Sequence, residues 1–189
     1  MCRSSIENEF LKLDFNNIGE ITSLVDKASG REFVDAPCNH FRLFKDVPSW
    51  FDAWDVDSMY KLQEVEITGK ASLKIIAKGP LVAVLRIERK IGSSELTQDI
   101  IVRAGSRRVD FKTSVEWNES HKLLKASFPV NVKSEDALQE IQFGHVRRPT
   151  HATRPYDFHR FEVCNHKWTA LVEEGRGAAV LNDCKYGVN

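Results

Sequence analysis

Apolar and polar residues alternate with a period of two along most of this chain. Leu11, Leu13 and Phe15 alternate with Lys12 and Asp14, a turn at Asn16-Asn17-Ile18-Gly19 follows, and Ile21 to Val25 runs back, which predicts a hairpin. Val65 and Ile67 precede a Thr68-Gly69-Lys70 turn. Leu73 to Ala77 and Leu81 to Ile87 flank a Lys78-Gly79-Pro80 break, and Gly92-Ser93-Ser94 closes the second of them. Leu96, Gln98, Ile100 and Val102 then alternate up to Ala104-Gly105-Ser106. In the clearest pattern, Val109, Phe111, Thr113, Val115 and Trp117 point one way while Asp110, Lys112, Ser114 and Glu116 point the other. Leu124, Ala126, Phe128, Val130 and Val132 repeat it. Ala178 to Leu181 forms a last short apolar strand. No window carries a sustained helical stripe. The predicted class is all-β and antiparallel, most simply a sandwich of two sheets in which neighbouring strands pair. Pro80 and Pro129 belong at strand ends or on an edge, because proline cannot donate to an interior ladder.

One stretch fits neither strand nor helix. Asp46 to Ser58 packs Trp50, Phe51 and Trp54 among Asp46, Asp52, Asp55 and Asp57. Carboxylates among aromatic faces suit a neutral, hydroxyl-rich ligand: the rings cover C–H faces while the oxygens accept hydroxyl protons. That ligand would be a sugar. The alternative is a long loop whose tryptophans anchor it in the core and whose aspartates are solvated.

Composition limits the other roles. With 27 Lys plus Arg against 27 Asp plus Glu, the chain has no net field to steer it onto nucleic acid or an anionic membrane. No apolar run approaches a bilayer span, and Met-Cys-Arg-Ser-Ser lacks the apolar core of a secretory signal, so the expected location is the cytosol. Cys2, Cys38, Cys164 and Cys184 form no C-x-x-C pair and are read as thiols. His145, His151, His159 and His166 are spaced by six, eight and seven residues, which matches no short metal-ligand pattern. They are expected to line a polar surface, with no metal bound. At the far end Asn182, Asp183, Lys185 and Tyr186 offer an amide, a carboxylate, an ammonium and a phenol within five positions.

Several segments taken together carry a family resemblance. They are Pro48-Ser-Trp-Phe-Asp-Ala-Trp-Asp-Val-Asp57, Ala104-Gly-Ser-Arg-Arg108, His121-Lys-Leu-Leu124 and Phe128-Pro-Val-Asn-Val132. Phe143-Gly-His-Val-Arg-Arg-Pro-Thr-His151, Phe161-Glu-Val-Cys-Asn-His-Lys-Trp168 and Leu181-Asn-Asp-Cys-Lys-Tyr-Gly187 complete the set. In this order they resemble the carboxy-terminal β-domain of α-mannosidases of glycoside hydrolase family 38, in its cytosolic and bacterial branch. The resemblance runs over 6–189 and leaves 1–5 as an unstructured start.

The resemblance implies a galactose-mutarotase-like β-supersandwich, here truncated at its carboxy-terminal end, and hence an isolated polypeptide that is marginal, aggregation-prone or homo-oligomeric. It further implies part of a zinc-dependent retaining α-mannosidase that hydrolyses terminal α-mannosyl residues. The nucleophile and the zinc ligands lie in upstream catalytic and helical domains, so this chain alone is inactive, holds no catalytic residue and binds no cofactor. Its partners are then those domains and a mannose-containing oligosaccharide. Asp52, Trp54 and Asp55 are the leading substrate-facing candidates, with Asn182, Asp183, Lys185 and Tyr186 second. In other branches an arginine commonly follows the aspartate where this chain has Cys184, so no guanidinium contact is carried over. The same residues could instead dock the β-domain on the catalytic domain, or the chain could be a stand-alone carbohydrate-binding or structural module.

Overall fold

The structure is a computed structural model and describes residues 4–52 and 54–189. Strands dominate, as the alternation predicts, and every paired strand is antiparallel. The chain divides into two compact units, Met1–Val130 and Asn131–Asn189.

In the first unit β1 (Ser4–Glu7), β2 (Leu11–Phe15), β3 (Ile21–Asp26) and β4 (Arg31–Glu32) form one sheet in sequential order. The predicted hairpin is β2–β3. Gly19 makes its turn at φ +86°, a conformation that a side chain resists. After β5 (His40–Lys45) and β6 (Glu64–Val65) comes a four-stranded meander of β7 (Ala71–Lys78), β8 (Val82–Ile91), β9 (Ser94–Arg103) and β10 (Val109–Glu116). The last strand, β11 (Lys122–Ser127), pairs with β5 and not with its predecessor, giving a third sheet in the order β11-β5-β6. Nearest-neighbour pairing therefore fails here. β11 also ends short of the alternating stretch from which it was read. Pro129 has no N–H to continue the ladder, and Phe128 and Val130 turn inward against the core instead.

The pleat of the meander explains how three sheets share one interior. Leu85, Ile87, Arg89 and Ile91 of β8 and Ser94, Leu96, Gln98, Ile100 and Val102 of β9 are buried at every second position. At one end of this face Leu85, Ile87, Ile100 and Val102 pack on Ile6, Leu11, Leu13, Phe15 and Ile21. At the other end Ile91 and Leu96 pack on Leu43, with Phe41, Val65 and Leu124 around them. Polar side chains lie between the two apolar halves. Asn39 and Gln98 exchange side-chain amide hydrogen bonds at 2.6 and 3.2 Å, and Gln98 also donates to Thr113 Oγ1 at 2.9 Å. The opposite face of the meander is charged, with Arg86 forked onto Asp99 at 2.7 and 2.8 Å.

The second unit holds β12 (Asp136–Ile141), β13 (Gly144–Pro149), β14 (Val163–Cys164), β15 (Trp168–Glu173), β16 (Arg176–Leu181) and β17 (Gly187–Val188). Its main sheet runs β13-β12-β15-β16, and β14 pairs with β17. A 3-10 helix at Pro155–Arg160 is held by Asp157, whose buried carboxylate accepts from the backbone N–H groups of Thr153 and Arg154 at 3.0 and 2.9 Å. Arg154 and Arg160 close on the same carboxylate. Burial alone would raise this carboxyl, but the backbone donor and the two guanidinium groups outweigh it and bring its pKa down to about 2. Cys38, Cys164 and Cys184 are free thiols. Burial, with Glu32 and Asp35 adding to it, pushes the Cys38 thiol up to about 11.

Candidate substrate-contact surfaces

The aromatic and acidic loop leaves β5 at Lys45 and returns at Gln63, where the Lys45 N–H donates to the Gln63 carbonyl at 2.9 Å. Asp46 N–H donates to the His121 carbonyl at 2.9 Å and fixes the other side of the neck. Inside the loop, Phe51 adopts φ +57° and its carbonyl accepts from Trp54 and Asp55 at 2.8 and 3.0 Å. Asp57 caps the following turn through Met59 N–H at 2.8 Å and leads into a 3-10 turn at Tyr60–Leu62. Ala53 lies outside the described residues.

Neither tryptophan anchors this loop. Trp50 is 78% exposed and Trp54 93%, with Phe51 beside them at 77%. The anchor is Tyr60, which the alternation could not reveal. It is 1% exposed, meets Phe44 edge-on at 5.1 Å between ring centroids, and its hydroxyl accepts from Lys125 Nζ at 3.0 Å. The loop is thus held by one buried ring at its base and displays three rings at its tip.

Around those rings the carboxylates gather. Asp52 Oδ2 lies 3.6 Å from His121 Nδ1. Asp46 has one oxygen buried without a hydrogen-bond partner; burial, and then the neighbouring Asp52 carboxylate, raises its carboxyl above the ordinary range, against the pull of His121. Asp55 Oδ1 accepts from the next backbone N–H, that of Val56, at 2.9 Å. Trp54, Asp52 and Asp55 therefore occupy one exposed loop tip, an arrangement that can cover a C–H face and accept hydroxyl protons.

The second candidate group belongs to the other unit, at the turn after β16. Asn182 is committed to that turn: its amide donates to the His166 carbonyl at 3.1 Å and its oxygen accepts from Lys185 N–H at 2.7 Å. Asp183, Lys185 and Tyr186 are exposed. The Cys184 thiol and the Asp183 backbone N–H hold the Asp183 carboxyl below its usual value, and Lys167 Nζ donates to the Asp183 carbonyl. Tyr186 meets His166 edge-on at 6.2 Å. Among the described residues no group of three or more His, Cys, Asp or Glu side chains could hold a metal ion, so the residues present do not fit zinc. His145 lies near Trp168, His151 bonds to Thr153, and His159 packs on Phe158. No helix among the described residues is long and apolar enough to cross a membrane.

Comparison with known proteins adds what geometry alone leaves open. The chain is 41% identical to "Alpha-mannosidase 2C1" of Homo sapiens over 189 residues, 98% of this chain and 18% of the relative. It is 40% identical to "Alpha-mannosidase G" of Dictyostelium discoideum, over 96% of this chain and 17% of that protein. The chain thus spans less than a fifth of the curated relatives it matches. A crystal structure of a glycosyl hydrolase family 38 protein from Enterococcus faecalis superposes with a TM-score of 0.76 at 15% identity, over 97% of this chain and 24% of that one. A second, of an α-mannosidase from Enterococcus faecalis V583, gives 0.74 at 14%, with the same coverage. At that identity the likeness is one of fold. The model of the glycosyl hydrolases family 38 C-terminal domain matches residues 6–189, and the chain belongs to that family.

Proposed function

We propose that this chain is the β-domain portion of a zinc-dependent retaining α-mannosidase that releases terminal α-mannosyl residues in the cytosol, working with catalytic and helical segments that the relatives' greater length leaves room for. The family match and relatives named α-mannosidases support the activity. Zinc and the two carboxyl groups that retention requires belong to the upstream segment in this reading. What this chain contributes is positioning: Trp54 covers a sugar face, Asp52 and Asp55 accept hydroxyl protons, and Asp183, Lys185 and Tyr186 offer further polar contacts. Asn182 shapes the turn that presents them. The observation that carries the assignment is the loop itself, firmly rooted by Tyr60 while Trp54 stands 93% exposed beside the two carboxylates.

The same exposure favours a second reading, in which Trp50, Phe51, Trp54 and Leu62 dock the β-domain on the catalytic segment. One experiment separates the two. The chain is co-expressed with the catalytic segment of an α-mannosidase relative, and hydrolysis of an aryl α-mannoside is measured. Trp54→Ala and Asp55→Ala raise KM about tenfold, the loss of one stacking or charge-assisted contact, with assembly intact. If both variants weaken assembly and leave KM unchanged, the surface docks and does not touch sugar.

A further inference from the structure

The loop and the terminal turn leave one feature of the first unit without a role, the outer edge of the meander. Among the described residues β10 pairs with β9 and with no strand on its other side. Gly92 and Ser93 close the β8–β9 hairpin in two residues, so β9 turns the backbone of Glu95, Thr97, Asp99 and Ile101 toward β10. Opposite them Asp110, Lys112, Ser114 and Glu116 bond inward, which leaves the backbone N–H and C=O groups of Phe111, Thr113 and Val115 facing outward.

Such an edge templates pairing with another strand unless something blunts it. The meander's other edge is blunted, because β7 is bulged between Ile75 and Ala77. β10 has no such break. Its register with β9 is continuous from Val109 to Glu116, it holds neither proline nor glycine, and Val115 and the adjoining Trp117 are 38% and 39% exposed.

Charge decides what pairs there. On the charged face of the meander, side chains form rows across the strands. In one row Arg86, Asp99 and Lys112 lie side by side, and because Arg86 already forks onto Asp99, Lys112 leaves a positive surplus. In another, Lys90 Nζ sits 3.8 Å from Glu95, and Glu116 faces that same Glu95 with like charge. Neither Lys112 nor Glu116 has an ion-pair partner among the described residues. We propose that the edge of β10 pairs antiparallel with β10 of a second copy of this chain, about a two-fold axis at Ser114. In that register Lys112 lies opposite Glu116 of the second copy and Glu116 opposite its Lys112, so both surpluses cancel. On the other face Phe111 lies beside Trp117 of the second copy, and Thr113 beside its Val115. Other registers are worse. An axis at Thr113 sets Asp110 against Glu116, and one at Lys112 sets two lysines together. An axis at Phe111 sets Asp110 against Lys112, but Asp110 is already held by Arg103 and Arg108.

One strand edge is a small interface, so the dimer is weak, with a dissociation constant of about 10–100 µM. Sedimentation velocity of the full chain tests it, and the parent is expected to pass from monomer to dimer between about 1 and about 500 µM. Lys112→Glu and Glu116→Lys, both at exposed positions, each weaken self-association about tenfold or more while circular dichroism stays that of the parent. An equal mixture of the two variants associates again, because each reversed residue then meets an opposite charge. Hydrogen exchange reads the register: the amides of Phe111, Thr113 and Val115 slow as concentration rises, and those of β7 do not. A chain that stays monomeric throughout, reversals that leave association unchanged, or a mixture that fails to associate would each overturn the pairing. Protection of these amides gained only when the catalytic segment of an α-mannosidase relative is added would give the edge to that segment instead. None of these outcomes bears on the contact between the loop and sugar, which KM reads.

Discussion

Tyr60 carries the loop, and its removal has a calculable effect. Tyr60→Ala deletes a ring that is 1% exposed, and truncating a buried aromatic costs about 3–5 kcal/mol. Two parts of that are separable. The edge-on contact with Phe44 accounts for about 1 kcal/mol beyond area burial. The hydrogen bond from Lys125 is charge-assisted, but Lys125 is half-exposed and rehydrates when the hydroxyl is lost, so Tyr60→Phe costs only about 1 kcal/mol.

Urea unfolding followed by circular dichroism gives both numbers, and the slopes show whether the variants keep the same cooperative unit. Hydrogen exchange localises the effect. The Lys45 and Asp46 amides at the loop neck lose protection by up to about 1000-fold in Tyr60→Ala, the equivalent of about 4 kcal/mol, while central amides of β9 follow only the global change. If Tyr60→Ala costs less than about 1 kcal/mol and the neck amides keep their protection, the loop is held by something other than this ring.

Three further outcomes are expected. Gln98→Leu leaves the buried Asn39 amide without its partner and destabilises by about 1–3 kcal/mol in denaturant unfolding; adding Asn39→Ala recovers part of the loss, and full additivity would show that the two amides do not act as a pair. Phe143 sits at φ +61° at the tip of the β12–β13 hairpin, fully exposed, so Phe143→Gly relieves left-handed strain and stabilises by about 0.5–1 kcal/mol, read as a raised Tm. Asp157, depressed to about 2 in the folded state, contributes stability that is complete above its unfolded pKa of about 3.9 and is lost as pH falls through the folded value. Asp157→Asn flattens the fall of Tm in that window, and identical profiles for variant and parent would remove the carboxylate from the account.

The centre of the meander was legible because β8 and β9 bury every second side chain, whereas β7 and β10 alternate in sequence but leave Ile75 and Val115 exposed. Its turns also carry glycine where the backbone requires it, as at Gly92 and Gly105, both with positive φ. β5 was not legible for the opposite reason. Phe41 and Leu43 enter one core while Phe44 is buried on the other face under Tyr60, so hydrophobicity does not alternate there. β12 hid differently: its fully buried position is Gln139, which no apolar pattern marks. The pairing of β11 with β5 joins strands about 80 residues apart, a choice set by packing and not by local sequence. For the candidate surfaces, composition pointed to the loop and to the terminal turn. That Asn182 commits its amide to backbone groups, and that His40 meets Glu20 while Arg42 forks onto Glu64, depends on register, which a linear reading does not supply.

The neck of the loop has a consequence for how this domain diversifies. Because two backbone hydrogen bonds close its base and one tyrosine plugs it, the described residues from Val47 to Ser58 bear none of the β5 ladder, and their identity is set by what the tip touches and not by the sheet. Homologues can then carry tips of other lengths and chemistries on an unchanged platform, so a change of preference would require exchanging a single insert while the sheets beneath it stay as they are.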